Sequence, residues 1–396
     1  MAADRDALIT GIGLISCLGE GIDAHWAALN REPGFVPVVD ETTFTPWPVH
    51  PMTELALDRQ IPKRGDQRQM EPWQRIGTYA AGLALDSAGI KGNASLLARM
   101  DMIVAAGGGE RDYPVDEAIL SDLPRASDPE ALLNRRLMGD LRPTLFLAQL
   151  SNLLAGNISI VHGVVGSSRT FMGEEACGTD AVRIACARTA ASQGDLFLVG
   201  GSFNAQRADA LLLHEMGGLL WKRPFAPVWA RLASGGGMIL GSVGCFLVIE
   251  SRAHAAARGA QAIAHIAAIA TDRCRRRPGE AAANAERQFA AMRHHVDPQD
   301  AAVISGASGA PEATREEAEF LQRIGLPVRG VATALGHSIE PSFAASLALA
   351  ATAVAKGRLF NPLDPSEAPG PASLSQALVT SWGLWRGEAM AVVETP

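Results

Sequence analysis

Two short passages hold the side chains best placed for chemistry. The first is Gly173-Glu-Glu-Ala-Cys-Gly178, a sharp turn expected to lead into a helix over residues 180–191. A carboxylate in that position, such as Glu175, is stabilised by the helix dipole by about 0.3–1 kcal/mol. A thiol near a helix N-terminus can be activated as a thiolate, which makes Cys177 a candidate nucleophile. The opposing reading of Cys177 is a small buried thiol, and its apolar, Ala-rich surroundings favour that reading. The second passage is Leu335-Gly-His-Ser, which presents His337 on a turn ahead of a strongly apolar run at 343–355. Elsewhere, Gly107-Gly-Gly is not a phosphate loop, because its glycines are consecutive and no Lys-Ser/Thr follows. The five cysteines form no CxxC pair. Neither a disulfide framework nor a metal site is expected, and no cofactor.

The elements around these passages read as α/β. Residues 7–15 form a buried strand ending in a glycine turn, and residues 31–67 are Pro-rich and irregular. Helical spacing covers 73–88 and 145–154, and strands are expected at 102–106, 170–172, 195–199 and 238–250. From residue 262 the same succession begins again: strand, helix, strand, helix, a His-bearing turn, a buried helix and two closing strands. Strands alternating with helices imply sheets covered on both faces. Two similar halves are expected, 1–250 and 251–396. Hydrophobic residues make up 47% of the 396 and charged residues 19%, with a net charge of −7. That balance argues against nucleic-acid and anionic-membrane partners. The 343–355 run falls short of the roughly 20 residues of a membrane span. An acidic N-terminus is unlike a signal peptide, and a cytoplasmic location is expected.

In order along nearly the whole chain, several segments resemble the β-ketoacyl-acyl carrier protein synthases. They are Ile9-Thr-Gly-Ile-Gly-Leu-Ile-Ser, Asn157-Ile-Ser-Ile-Val-His-Gly-Val-Val-Gly, Gly194-Asp-Leu-Phe-Leu-Val-Gly-Gly, and Arg223-Pro-Phe followed by Ile239-Leu-Gly-Ser-Val-Gly-Cys-Phe-Leu-Val-Ile-Glu. The resemblance implies a thiolase-like fold, two α/β halves in a five-layered αβαβα arrangement. Synthases of this kind use a cysteine nucleophile at a helix tip, two histidines, a lysine that orders one of them, and a Gly-rich C-terminal loop that forms a gate and an oxyanion hole.

Matched to that pattern, Glu175 stands at the nucleophile position, Gly306 at the first histidine and Ala332 at the lysine. Only His337 is retained. A carboxylate is a poor nucleophile toward a thioester, and the mixed anhydride it would form is too labile to carry a chain. Cys177, two residues on, is turned about 200° away on a helix. The C-terminal loop reads Ser381-Trp-Gly-Leu-Trp-Arg-Gly-Glu388, so Trp382, Leu384 and Trp385, with Arg386, are expected to fill the gate. The closest resemblance is to the chain-length factors, or KSβ subunits, of type II polyketide systems. It implies a non-condensing subunit that pairs with a catalytic ketosynthase (KSα), receives an acyl carrier protein and shapes a tunnel. The systems concerned are aromatic or polyene-forming, and the sequence leans toward the polyene type. Gly107, Gly108, Tyr113, Leu120 and Phe146 fall in the family's interface and tunnel region. Arg275, Arg276 and Arg277 fall near its carrier-protein mouth, where a plain solvated loop is the competing reading. A buried Glu175–His337 pair is expected. Two other functions remain open: a Glu175/His337-dependent acyltransferase or decarboxylase on carrier-protein thioesters, and a homodimeric scaffold.

Overall fold

A computed structural model describes residues 3–385 and 387–396; Arg386 lies outside the described residues. Five strands of the first half are β1 (Ala7–Ser16), β2 (Asp101–Ala105), β3 (Ser168–Phe171), β4 (Leu196–Phe203) and β5 (Val243–Ser251). Five of the second are β6 (Ala264–Asp272), β7 (Ala301–Ser305), β8 (Val328–Gly330), β9 (Gln376–Trp382) and β10 (Glu388–Glu394). Their order across the sheet is β3-β2-β4-β5-β1 and then β6-β10-β9-β7-β8. Each half therefore has the same internal order, and the same pairing: the central strand is parallel to its outer neighbours and antiparallel to the next strand in. The halves meet where Ala7–Ile9 of β1 pairs with Ile266–Ala264 of β6.

Burial explains the layering. Along β4, Phe197 and Val199 point to one face while Leu196 and Leu198 point to the other, the period-two alternation of a strand. Both sets are buried, so both faces are covered. Three separate apolar cores result. One lies between the first half-sheet and the helix α1 (Pro72–Ser87). A second lies between the second half-sheet and the helices α7 (Glu280–Met292) and α8 (Pro311–Ile324). The third fills the space between the half-sheets, around α5 (Glu174–Ala190) and α9 (Ser342–Ala355). Three cores separate five layers, α, β, α, β, α, which is the arrangement of a thiolase-like fold. A small residue lets α5 approach the turn that leads into α9: a Cβ on Gly178 of α5 would lie 2.2 Å from the carbonyl oxygen of Glu340.

The single helix expected at 145–154 is two, α3 (Pro143–Ala148) and α4 (Leu153–His162). The break falls where Ser151 Oγ donates to the Gly107 carbonyl and Gln149 Nε2 to that of Glu110. These two bonds tie the break to the 107–110 segment. The outer ends of the sheet differ. At one end, β8 is three residues long and braced by the buried Arg329, which donates to Phe360 O and Ala368 O at 2.8 Å. At the other, β3 is exposed. No described helix is long and apolar enough to cross a membrane.

Candidate functional site

The site lies where the two middle helices begin. Gly173 (φ +106°) and Glu174 (φ +48°) make consecutive left-handed turns, and α5 starts at once. That tight entry sends the Glu175 side chain inward, 2% exposed. Across from it, Gly336 (φ +70°) turns the chain before His337. The turn lies flat on Leu240–Gly241, where a Cβ at Gly241 would come within 1.8 Å of Leu335 O. His337 N–H donates to Ile239 O (2.8 Å), and Gly241 N–H donates to His337 O (3.0 Å), which fixes the histidine backbone on both sides.

The structure brings Glu175 and His337 together: Nε2 lies 2.7 Å from Oε1. The second carboxylate oxygen accepts from the Leu384 backbone N–H at 3.3 Å. Burial opposes ionisation of Glu175. The hydrogen bond and charge of His337, with the backbone N–H groups of Glu175 and Leu384, outweigh that penalty and hold the carboxyl below its usual range. An ionised carboxylate only accepts, so His337 Nε2 donates. The backbone donors at the helix tip and the C-terminal loop, the natural anion cradle of such a site, thus face an oxygen of the protein's own side chain.

Gly306 follows β7, its N–H donating to Thr380 O (3.1 Å), and Ala332 begins the short turn before His337. Together with Ser342 and Ser346 they enclose a void of about 10 Å³, barely one water in size. Beneath it Glu317 accepts from Ser305 Oγ and Thr380 Oγ1, both at 2.6 Å, and burial pushes its carboxyl up to about 6. Cys177 is buried, and its Sγ donates to Glu174 O (3.0 Å). Burial first, then the carboxylates of Glu340 and Glu175, raise its thiol well above the usual range. A thiol kept protonated in this way is inert.

The gate residues part company. Leu384 meets Glu175 through its backbone and packs on the second-half core. Trp385 is 57% exposed and rims a neighbouring cavity. Trp382 is not at the gate: as the last residue of β9 it is 1% exposed and packs on Phe320, ring centroids 5.4 Å apart. Strand alternation sends its ring to the outer face of the half-sheet. The cavity, about 310 Å³, is lined by Gly107 and Gly108. Tyr113 stands beside it, its hydroxyl on Asp209, while Leu120 and Phe146 are exposed and away from it. Arg276 is a brace, not a free cation: it pairs with the buried Glu388 (2.6 Å) and donates to Gly383 O, holding the loop that carries Leu384. Arg275 and Arg277 flank it and are exposed. The sequence reading missed Glu340, which is buried against this cavity. It stands three residues past His337, where nothing in the letters separates it from a helix lead-in.

The N-terminal domain profile of the β-ketoacyl synthases matches residues 4–255. The chain is 24% identical over 270 residues to a 3-oxoacyl-[acyl-carrier-protein] synthase 2 of Vibrio cholerae, covering 66% of this chain and 62% of that protein, so it spans about three fifths of that relative's length. It is 25% identical over 386 residues to the tetracenomycin polyketide synthase ketoacyl synthase beta subunit of Streptomyces glaucescens, covering 94% and 90% of the two chains. Its fold is similar to that of the ishigamide ketosynthase/chain length factor, with TM-score 0.78, 20% identity and 99% of each chain covered.

Proposed function

The chain belongs to the β-ketoacyl synthase family, and on that footing we propose that it is a non-condensing chain-length factor. In this reading it pairs with a separate catalytic ketosynthase and shapes the channel for an acyl chain delivered by an acyl carrier protein in type II polyketide assembly. One observation carries the proposal. The place a nucleophile needs is taken by a buried carboxylate hydrogen-bonded to His337 and to the Leu384 N–H. Among the described residues no thiol stands at that helix tip to hold an acyl chain, and the nearby Cys177 thiol is buried and held protonated. Similarity to a KSβ subunit across 94% of the chain supports the same reading.

The surface supports an obligate partner. Beside the unpaired edge of β3 lie exposed Met172, Val165 and Ile160, and the helix α6 (Ala208–Met216) exposes Leu212, Leu213 and Met216. Exposed apolar side chains of this kind, beside a free strand edge, mark an association face. Arg275 and Arg277 are the cations left available to an acidic carrier protein, and Gly107 and Gly108 with Leu384 form the channel and gate. The two units of the fold divide at 250/251.

The test is co-expression with candidate ketosynthases, followed by mass spectrometry after exposure to acyl-carrier-protein thioesters. A stable one-to-one complex, acylated only on the ketosynthase, is expected. Acylation of this chain on Cys177, or turnover by the chain alone, would overturn the proposal in favour of an acyltransferase.

A further inference from the structure

The cavity next to Glu175 has features that the filled centre does not explain. Glu340 reaches it with 7% exposure, and its Oε2 has no hydrogen-bond partner among the described residues. Gly107 makes room for the carboxyl: a Cβ there would lie 2.2 Å from Glu340 Oε1. The residue before it, Ile339, has φ +56°, an outlying conformation for a β-branched side chain. Glu174 on the facing wall is also left-handed, at +48°. Strain of this kind is held where the surroundings over-determine a geometry, and such places cluster at binding sites. Asn204, Ser202 and His214 add further polar groups to the lining, while Phe203, Leu213 and Trp385 supply an apolar wall.

We infer that this cavity selects an oxygen-bearing acyl chain, of the β-diketone type, over a bare hydrocarbon chain, and that Glu340 is the residue that makes the selection. The inference rests on the proposed chain-length function and names the class of chain. A hydrocarbon or polyene in this space would leave a buried carboxyl unpaired, a cost that persists in the complex. A β-diketone pairs with either protonation state. Its carbonyl accepts from the carboxylic acid, and its enol hydroxyl donates to the carboxylate. Burial, followed by the charge of Glu175, raises the Glu340 carboxyl, with Arg207 acting in the other direction, and the result is about 7. Both forms are therefore present near neutral pH. A site built to hydrogen-bond a ligand discriminates strongly against an analogue lacking the partner.

The test uses the full chain, alone and in complex with its ketosynthase, titrated calorimetrically with two N-acetylcysteamine thioesters of equal length: 3,5-dioxohexanoyl and sorbyl. The dioxo probe is expected to bind about tenfold tighter or more. Glu340→Leu should remove the preference and Glu340→Gln should keep it. Gly107→Ala, which must displace the carboxyl without deleting it, should weaken the dioxo probe selectively. Equal or tighter sorbyl binding by the unmodified chain overturns the inference, as does a preference that survives Glu340→Leu, or the absence of binding by either probe. A preference shown by a chain that forms no complex with any candidate ketosynthase would support the cavity's selectivity while refuting the chain-length role.

Discussion

Glu175 and His337 are a coupled pair, and removing one member strands the other. Breaking a buried pair from one side costs about 3–5 kcal/mol, so Glu175→Ala is expected to lose about that much in urea unfolding and Glu175→Gln much less. An unchanged midpoint for the alanine variant would show that the pair is not structural. Acid and base limbs have different owners. The Glu175 carboxyl is held low in the native state, so its stabilisation is complete above the unfolded value of about 4.3 and is lost as pH falls through the lower folded value. Glu317 and Glu340 are held high, at about 6 and about 7. Their contribution is complete below about 4.3 and is lost as pH rises through those values. Glu340→Gln should therefore raise Tm at pH 8 relative to the unmodified chain and narrow the gap at pH 5. A uniform shift at both pH values would refute the assignment. Arg231 is fully buried, no acceptor meets its three guanidinium nitrogens among the described residues, and burial lowers it to about 9. Replacing a buried charge that no acceptor meets by an apolar chain of similar reach is expected to be neutral or stabilising. A clear loss in Arg231→Met would reveal a partner. At this scale the pair was legible only through the family resemblance, which sets the two positions facing each other, and both members are side chains. The contribution of Leu384 was not, because it is made through a backbone N–H that no letter encodes.

The elements that carry these residues were read with uneven success, for physical reasons. The apolar run of α9 marks a helix buried on every side, and it is one. The helix α5 begins earlier than the expected residue 180, since the turn occupies only Gly173 and Glu174 and the chain is helical from Glu175 on. Acidic residues at a helix start are ordinary first-turn residues, but they equally suit a loop. Arg276 shows the same ambiguity: its letter suggests a surface cation, and only the position of Glu388 reveals a brace. Close approach of α5 to the turn before α9 depends on Gly178. Gly178→Ala sets a methyl 2.2 Å from a main-chain oxygen, and overpacking of that kind costs about 1–3 kcal/mol. Thermal melting is the check, and a melting temperature equal to that of the unmodified chain would mean the helices slide apart freely.

For the molecule as a whole, the recurring succession of strands and helices foretold two like halves. The matching order within each, and the β1–β6 seam that joins them, depend on pairings between distant segments and could not be derived locally. The association face makes its own prediction. Leu213→Glu combined with Met216→Glu, both exposed, should abolish complex formation with a ketosynthase in size-exclusion chromatography while leaving Tm within about 1 °C, as surface changes usually do. A complex that survives both charges would place the contact elsewhere. The void of about 10 Å³ beside His337 has a consequence of another kind. A Cβ at Gly306 would stand 2.6 Å from the Thr380 carbonyl, so a side chain at this position does not fit without a shift of the main chain. Installing the side chains of the family's condensing pattern with Glu175→Cys, Gly306→His and Ala332→Lys would therefore supply its letters without room for them. The main chain at Thr380 occupies the space that an imidazole on Gly306 would need.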